Sequence, residues 1–335
     1  MVSSVFSAGP QWVWIHLAAF ALITTSVHGR LAALKPHESQ LARYYVLIAL
    51  GGALGGIFNL LVPYIFNDVI EYFLLACISI LLLPGRGGIR LSLPRKQWAP
   101  ALVMLAALGL VVWPSSKPDD ESAIIHQSRN FFGVSRVVRG EGYTQYQHGT
   151  TLHGVQWNDP ARALAPTAYY AVLADLLQGF PASFFGAPFG VIGLGAGTQA
   201  CQGKPGQIVD FIDIDPAVIA IATNPDYFTF LRDCPSTSRV HEGDGRLVLR
   251  RFDDGRFALL VVDVFTSDAI PAHMLTQEAL ALYQQKIRPT SGMIAVNISN
   301  RHLKLSPVMA KLAEAQGMLA YHRFDKPDAA TQQST

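Results

Sequence analysis

Four short stations in the C-terminal half constrain this chain more than any other feature. They are Val191-Ile192-Gly193-Leu194-Gly195-Ala196-Gly197-Thr198, an acid at Asp213, Gly243-Asp244-Gly245, and Val261-Val262-Asp263. A glycine-rich turn between a strand and a helix lets backbone N–H groups approach a ligand, because glycine lacks a Cβ and accepts positive φ. Strand-like runs at 189–193, 207–213, 238–242, 257–263 and 292–298 are separated by helical stretches. Strand and helix in this alternation imply a parallel, doubly wound sheet with its ligand at the carboxyl ends of the strands. A sixth strand is expected at 319–324.

The glycine turn is spaced Gly-x-Gly-x-Gly before Thr198, which departs from the dinucleotide fingerprint. Asp213, ending the second strand, suits ribose hydroxyls in nicotinamide and S-adenosyl sites alike. Asp244, placed after the third strand to meet an adenine amino group, and Asp263, ending the fourth, turn the reading toward an S-adenosyl ligand. The expected nucleotide contacts are therefore Gly193, Gly195, Gly197, Asp213, Asp244 and Gly245.

Composition divides the chain. Only 15% of its 335 residues are charged, against about 25% in an average soluble protein. Residues 1–113 hold three acids (Glu38, Asp68, Glu71) and seven Lys or Arg, which leaves 21 of 24 acids and 19 of 26 bases for the rest. Apolar stretches at 12–28, 44–66, 69–83 and 98–113 read as three to four transmembrane spans, the last two short for the ~20 residues a span takes. Trp12, Trp14, Trp98 and Trp113 sit at stretch ends, where interfacial tryptophan belongs. Gly51-Gly52-Ala53-Leu54-Gly55-Gly56 carries two overlapping Gly-x-x-x-Gly pairs that suit close helix packing in lipid. Basic residues follow the first stretch (Arg30, Lys35, Arg43) and the third (Arg86, Arg90, Arg95, Lys96), which with four spans would put the globular part outside. The cytosolic supply of S-adenosyl compounds argues for the opposite side, and a cytoplasmic globular part on a multi-pass inner-membrane protein is the expectation. A net charge of +2 gives no reason to expect nucleic acid.

Between membrane and α/β parts, runs at 130–138 and 143–157 flank Gly140-Glu141-Gly142 and predict a small β-hairpin region, followed by a helix near 167–177. The expected division is 1–114 membrane, 122–160 hairpin region and 161–335 α/β domain. His148 and His153 fall in one strand-like run at a spacing that sets them on opposite faces, so no metal site is expected. Of three cysteines, only Cys201 and Cys234 are a conceivable pair, and free thiols are expected.

From about Arg129 onward the chain resembles the spermidine synthase (aminopropyltransferase) family, in particular bacterial members fused to transmembrane helices. The resemblance rests on Arg129-Asn130-Phe131-Phe132-Gly133-Val134, His148-Gly149-Thr150-Thr151-Leu152-His153-Gly154, Tyr227-Phe228-Thr229-Phe230-Leu231 and Asp263-Val264-Phe265-Thr266-Ser267-Asp268-Ala269-Ile270-Pro271, together with the stretch 51–61. It implies a Rossmann-like domain that moves the aminopropyl group of decarboxylated S-adenosylmethionine, a co-substrate and not a resident cofactor, to a polyamine or other small amine. It implies that Asp213 holds the ribose, Asp244 with Gly245 the adenine, that Asp263 accepts the proton, and that Asp268, Tyr169 and Pro271 line the amine side. A lipid bilayer and a second copy of the chain are the other expected partners. Two positions depart from the family: Ala196 stands where the glycine turn usually carries Asp, and Tyr169-Tyr170-Ala171 where Tyr-His-Glu is usual. The family sheet ends in a further hairpin that 335 residues are expected not to reach. A methyltransferase on the same nucleotide site, and a non-catalytic membrane scaffold or sensor, are the competing readings.

Overall fold

The structure is a computed structural model that describes residues 10–67, 123–149, 151–167, 170–264, 271–299 and 303–323. The chain divides into two compact units, one of residues 1–119 with 129–131, the other of 120–128 with 132–335.

The first unit contains helices α1 (Pro10–Ala33) and α2 (Leu41–Ile65), the second preceded by a 3-10 turn, Glu38–Gln40. Among the described residues one helix, Glu38–Ile65, is long and apolar enough to cross a membrane, by length and composition alone. The third and fourth apolar stretches lie outside the described residues, and among those described this one helix is all that supports the multi-pass expectation. Val46, Leu47, Leu50, Leu54, Ile57 and Leu60 of α2 are exposed. Among the described residues, a Cβ on Gly51, Gly52, Gly55 or Gly56 would meet nothing within 4 Å.

The second unit begins with a four-stranded antiparallel sheet, β1 (Ala123–Asn130), β2 (Gly133–Gly140), β3 (Tyr143–His148) and β4 (Thr151–Trp157), in that spatial order. The expected single run at 143–157 is thus two strands. Gly149, at φ 60°, reverses the chain between them, and His148 pairs with Thr151 across the turn. Along β3 the alternation is strict, with Thr144, Tyr146 and His148 buried, as expected where one face of a sheet meets a core.

After α3 (Tyr170–Leu177) comes the parallel sheet: β5 (Phe189–Ile192), β6 (Ile208–Asp213), β7 (Thr237–Glu242), β8 (Leu259–Val262) and β9 (Met293–Val296). The spatial order is β7-β6-β5-β8-β9, so the direction of winding reverses between β5 and β8. All four pairings are parallel and in register, with Val191 opposite Phe211 and Val261. Alternation sends Val191, Phe211, Leu259 and Val261 into one apolar cluster and Ile192, Ile212, Leu260 and Val262 into another. Both faces are covered, which is why these strands read as continuous apolar runs in the sequence. The first cluster also takes Val137 and Tyr146 of the antiparallel sheet, so the two sheets share a core. The connecting helices are α4 (Pro216–Thr223), α5 (Phe230–Asp233), α6 (Gly245–Leu249), α7 (Gln277–Lys286) and α8 (Ser306–Ala315).

Two further expectations are corrected. Residues 318–323 form no strand, so the described sheet has five strands rather than six. Cys201 and Cys234 are joined as a disulfide, with Cα atoms 4.8 Å apart, a separation that sequence spacing alone does not reveal.

Candidate nucleotide and amine site

The glycine turn, Asp213, Asp244 and Asp263 all emerge at the carboxyl edge of the parallel sheet, around the β5–β8 reversal. In open α/β sheets this is where ligands bind. Gly193, Gly195 and Gly197 all adopt positive φ, at 99°, 56° and 88°. Each is also sterically required. A Cβ on Gly193 would run into the Asp263 carbonyl, one on Gly195 would lie 2.7 Å from the His153 carbonyl oxygen, and one on Gly197 3.0 Å from Leu231. The turn leads into a 3-10 turn, Thr198–Gln202, and not into a long helix.

Asp213 closes β6 and ties two loops together. Its Oδ2 accepts from Leu194 N in the glycine turn at 2.8 Å, and its Oδ1 from Asp215 N at 2.9 Å. Burial pushes its carboxyl up to about 6, against the lowering effect of those N–H donors, with nearby Asp215 adding to the rise. Asp215 in turn caps α4, accepting from Ala217 N at 2.8 Å ahead of Pro216 at the first helical position.

Asp244 is a helix cap as well as a candidate base contact. Its Oδ1 accepts from Arg246 N and Leu247 N at 3.0 and 2.9 Å, while Oδ2 stands 3.6 Å from His273 Nε2. Gly245 packs against β5, since a Cβ there would meet Ile192 at 2.5 Å. Asp263, half-buried just past β8, accepts from Asn297 Nδ2 at 2.9 Å. Asn297 follows β9, and its own Oδ1 accepts from Ser299 N at 3.0 Å. Sequence reading missed Asn297 and His273. The signal for Asn297 was available, a polar residue at the end of the fifth strand-like run.

On the amine side, Pro271 is half-buried and opens a 3-10 turn, Ala272–Leu275. Asp268 and Tyr169 lie outside the described residues. Ala196 is fully buried and faces β4, where a Cβ on Gly154 would meet it at 2.5 Å. At this position the glycine turn packs against the antiparallel sheet instead of presenting a side chain to the crevice. The joint is reinforced by Ala196 N and the Tyr170 hydroxyl, which donate to the His153 carbonyl at 3.2 and 3.1 Å.

The expected placement of the two histidines on opposite faces is overturned here. His148 and His153 lie on adjacent strands, both buried, with ring centroids 6.0 Å apart. Burial lowers the pKa of both, and that of His153 falls to about 3 with His148 adding to the effect. Both are neutral at pH 7. His148 Nε2 is 4.0 Å from Asp215 Oδ2. His148 Nδ1, His153 Nε2 and Thr198 Oγ1 have no hydrogen-bond partner among the described residues. Among those residues no group of three His, Cys, Asp or Glu could hold a metal.

No family model matches the chain. In sequence it is similar to the polyamine aminopropyltransferase of Vibrio vulnificus (strain CMCP6), 25% identical over 210 residues, which cover 59% of this chain and 66% of that protein. The chain therefore spans just under two thirds of its curated relative, 66% of that length. Among solved structures it is similar to spermidine synthase from Thermotoga maritima, with a TM-score of 0.40 and 13% identity over 56% of this chain and 64% of that one. A probable spermidine synthase from Corynebacterium glutamicum ATCC 13032 gives a TM-score of 0.41 and 14% identity over 52% of this chain and 63% of that one. It is to spermidine synthase-like proteins, then, that this chain is similar, over a part of its length.

Proposed function

We propose that the α/β unit binds decarboxylated S-adenosylmethionine at the glycine turn and transfers its aminopropyl group to a small amine or polyamine. The observation that carries this reading is the arrangement at the sheet edge. One carboxylate, Asp213, is hydrogen-bonded to the glycine turn, a second, Asp244, caps the next loop, and a third, Asp263, ends the strand across the reversal. Asp213 receives the ribose hydroxyls and Asp244 Oδ2 the adenine amino group. The amine nitrogen attacks the methylene carbon beside the sulfonium. The C–S bond breaks with its electron pair going to sulfur, and the leaving group is the neutral thioether 5′-methylthioadenosine. The new C–N bond leaves a proton on nitrogen, which Asp263 accepts, as a general base held in place by Asn297. A neutral leaving group needs no oxyanion hole, and base catalysis of this kind contributes typically ~10²–10⁴-fold.

The decarboxylated nucleotide is the better fit for an acid-lined crevice. An α-carboxylate on the propyl arm of S-adenosylmethionine would face Asp263, whereas an arm ending in ammonium would be attracted to it. Helix α2, with its exposed apolar side chains, anchors the protein to a lipid bilayer in this reading.

Calorimetric titration of the detergent-solubilised full chain tests the nucleotide half. The expected result is tighter binding of the decarboxylated than of the carboxylated nucleotide. Asp213→Asn should weaken it about tenfold, since losing one acceptor for ligand hydroxyls costs ~1–3 kcal/mol. A preference for S-adenosylmethionine would favour methyl transfer instead. Equal affinity of wild type, Asp213→Asn and Asp244→Asn would remove the ligand from this crevice.

A further inference from the structure

The chain after β8 returns to the nucleotide edge at Pro271 and is fixed there on both sides of His273. Arg246 Nη1 donates to the His273 carbonyl at 3.0 Å. Met274 is buried, its Cε 3.0 Å from where a Cβ on Gly245 would lie. The Tyr283 hydroxyl donates to the Met274 carbonyl at 3.0 Å. The backbone is therefore held against the Gly243–Arg246 turn, while the His273 side chain itself remains 53% exposed and stands with Nε2 3.6 Å from Asp244 Oδ2. The other carboxylate oxygen is occupied by two backbone N–H groups of α6. At 3.6 Å the imidazole and the carboxylate are too far apart for a good hydrogen bond. They are close enough to meet neighbouring atoms on one edge of a flat ring. The facing carboxylate favours the tautomer with hydrogen on Nε2.

We propose that His273 and Asp244 form a donor–acceptor pair that reads the 6-amino edge of the purine. The pair rests on the assignment of Asp244 to the base under Proposed function. Asp244 Oδ2 accepts from the amino group, and the imidazole N–H donates to the ring nitrogen beside it. Adenine alone among the common purines offers an amino donor flanked by ring-nitrogen acceptors at that edge, whereas a 6-oxo purine turns an oxygen toward the carboxylate. The site thus selects 6-amino purine nucleosides by two groups from different loops, Asp244 after β7 and His273 after β8.

The test is calorimetric titration of the full chain, wild type and His273→Ala, with 5′-methylthioadenosine, its 7-deaza and 1-deaza analogues, and 5′-methylthioinosine. The Arg246 contact uses only the His273 backbone, and the side chain is exposed, so the variant keeps the fold. In wild type, one of the two deaza replacements should weaken binding about fivefold to tenfold, the value of one hydrogen bond, and the inosine compound should bind more weakly still. In His273→Ala that deaza penalty should vanish while the inosine penalty, which belongs to Asp244, persists. An equal deaza penalty in both proteins, or none in wild type, overturns the assignment of His273 and leaves the nucleotide site standing. A wild type that binds none of the four nucleosides overturns both.

Discussion

Asp213 is the residue on which the proposed nucleotide end turns, because it is at once a structural tie and a candidate ligand group. Its two oxygens hold the glycine turn and the start of the next loop. Burial raises its pKa to about 6, so the form that accepts hydrogen bonds dominates at pH 7 and is a minority at pH 5. Ligand hydroxyls favour the ionised form, and protonation therefore competes with binding below pH 6. By linkage, nucleotide affinity should fall by up to about tenfold between pH 7 and pH 5, and titration of Asp213→Asn should show that slope lost. An affinity flat across this interval in wild type would mean that Asp213 does not contact the ligand. Asp263 and Ala196 mark the contrast at the proposed amine end. Asp263 is oriented by Asn297 across the sheet edge, whereas Ala196 is committed to packing on Gly154.

At the scale of elements, the glycine turn is braced from three sides. Tyr170 and β4 hold it through the His153 carbonyl, Leu231 of α5 packs at Gly197, and the Cys201–Cys234 disulfide joins the following 3-10 turn to the end of α5. Ser236 adds a hydrogen bond to the Ala200 carbonyl at 2.7 Å. A link across 33 residues constrains the unfolded chain by roughly 3–4 kcal/mol in the loop-entropy account. Cys201→Ser with Cys234→Ser should lower the thermal midpoint by roughly 5–15 °C, and thiol counting in the unfolded wild type should find Cys77 alone reactive until reductant is added. Three reactive thiols without reductant would contradict the pairing. The parallel strands were legible because burial on both faces writes apolar runs, as at Val191-Ile192 and Val261-Val262. Asp213 and Asp263 were legible because each follows such a run, and Asp244 because it sits between two glycines after a strand-like run. The turn at Gly149 was not, since it interrupts an otherwise continuous strand-like run, and the histidines were misplaced in consequence. Cys201 with Cys234, Asp263 with Asn297 and Asp244 with His273 are contacts between distant segments, and periodicity carries no information about them.

For the whole molecule, a charge-poor N-terminal unit, with one helix among its described residues long and apolar enough to span a bilayer, is joined to an α/β unit of ordinary charge balance. The exposed apolar side chains along α2 motivate the proposed anchoring, since contiguous exposed apolar surface marks interaction or membrane sites. The intact chain should stay with membranes through a carbonate wash, and recovery in the soluble fraction would defeat the anchoring role. Under the proposed anchoring, the disulfide bears on which side the α/β unit faces, because such links persist in oxidising compartments, while the proposed nucleotide is made in the cytosol. That tension makes direct chemistry the decisive observation. The measurement is product analysis after incubating the full chain with decarboxylated S-adenosylmethionine and a diamine, for wild type and Asp263→Asn. The account predicts 5′-methylthioadenosine and the aminopropylated amine in equal amounts from wild type, with turnover lowered ~10²-fold or more in Asp263→Asn and nucleotide binding kept. No methylthioadenosine from wild type, or an Asp263→Asn rate within a factor of about two of it (~0.4 kcal/mol), would contradict it.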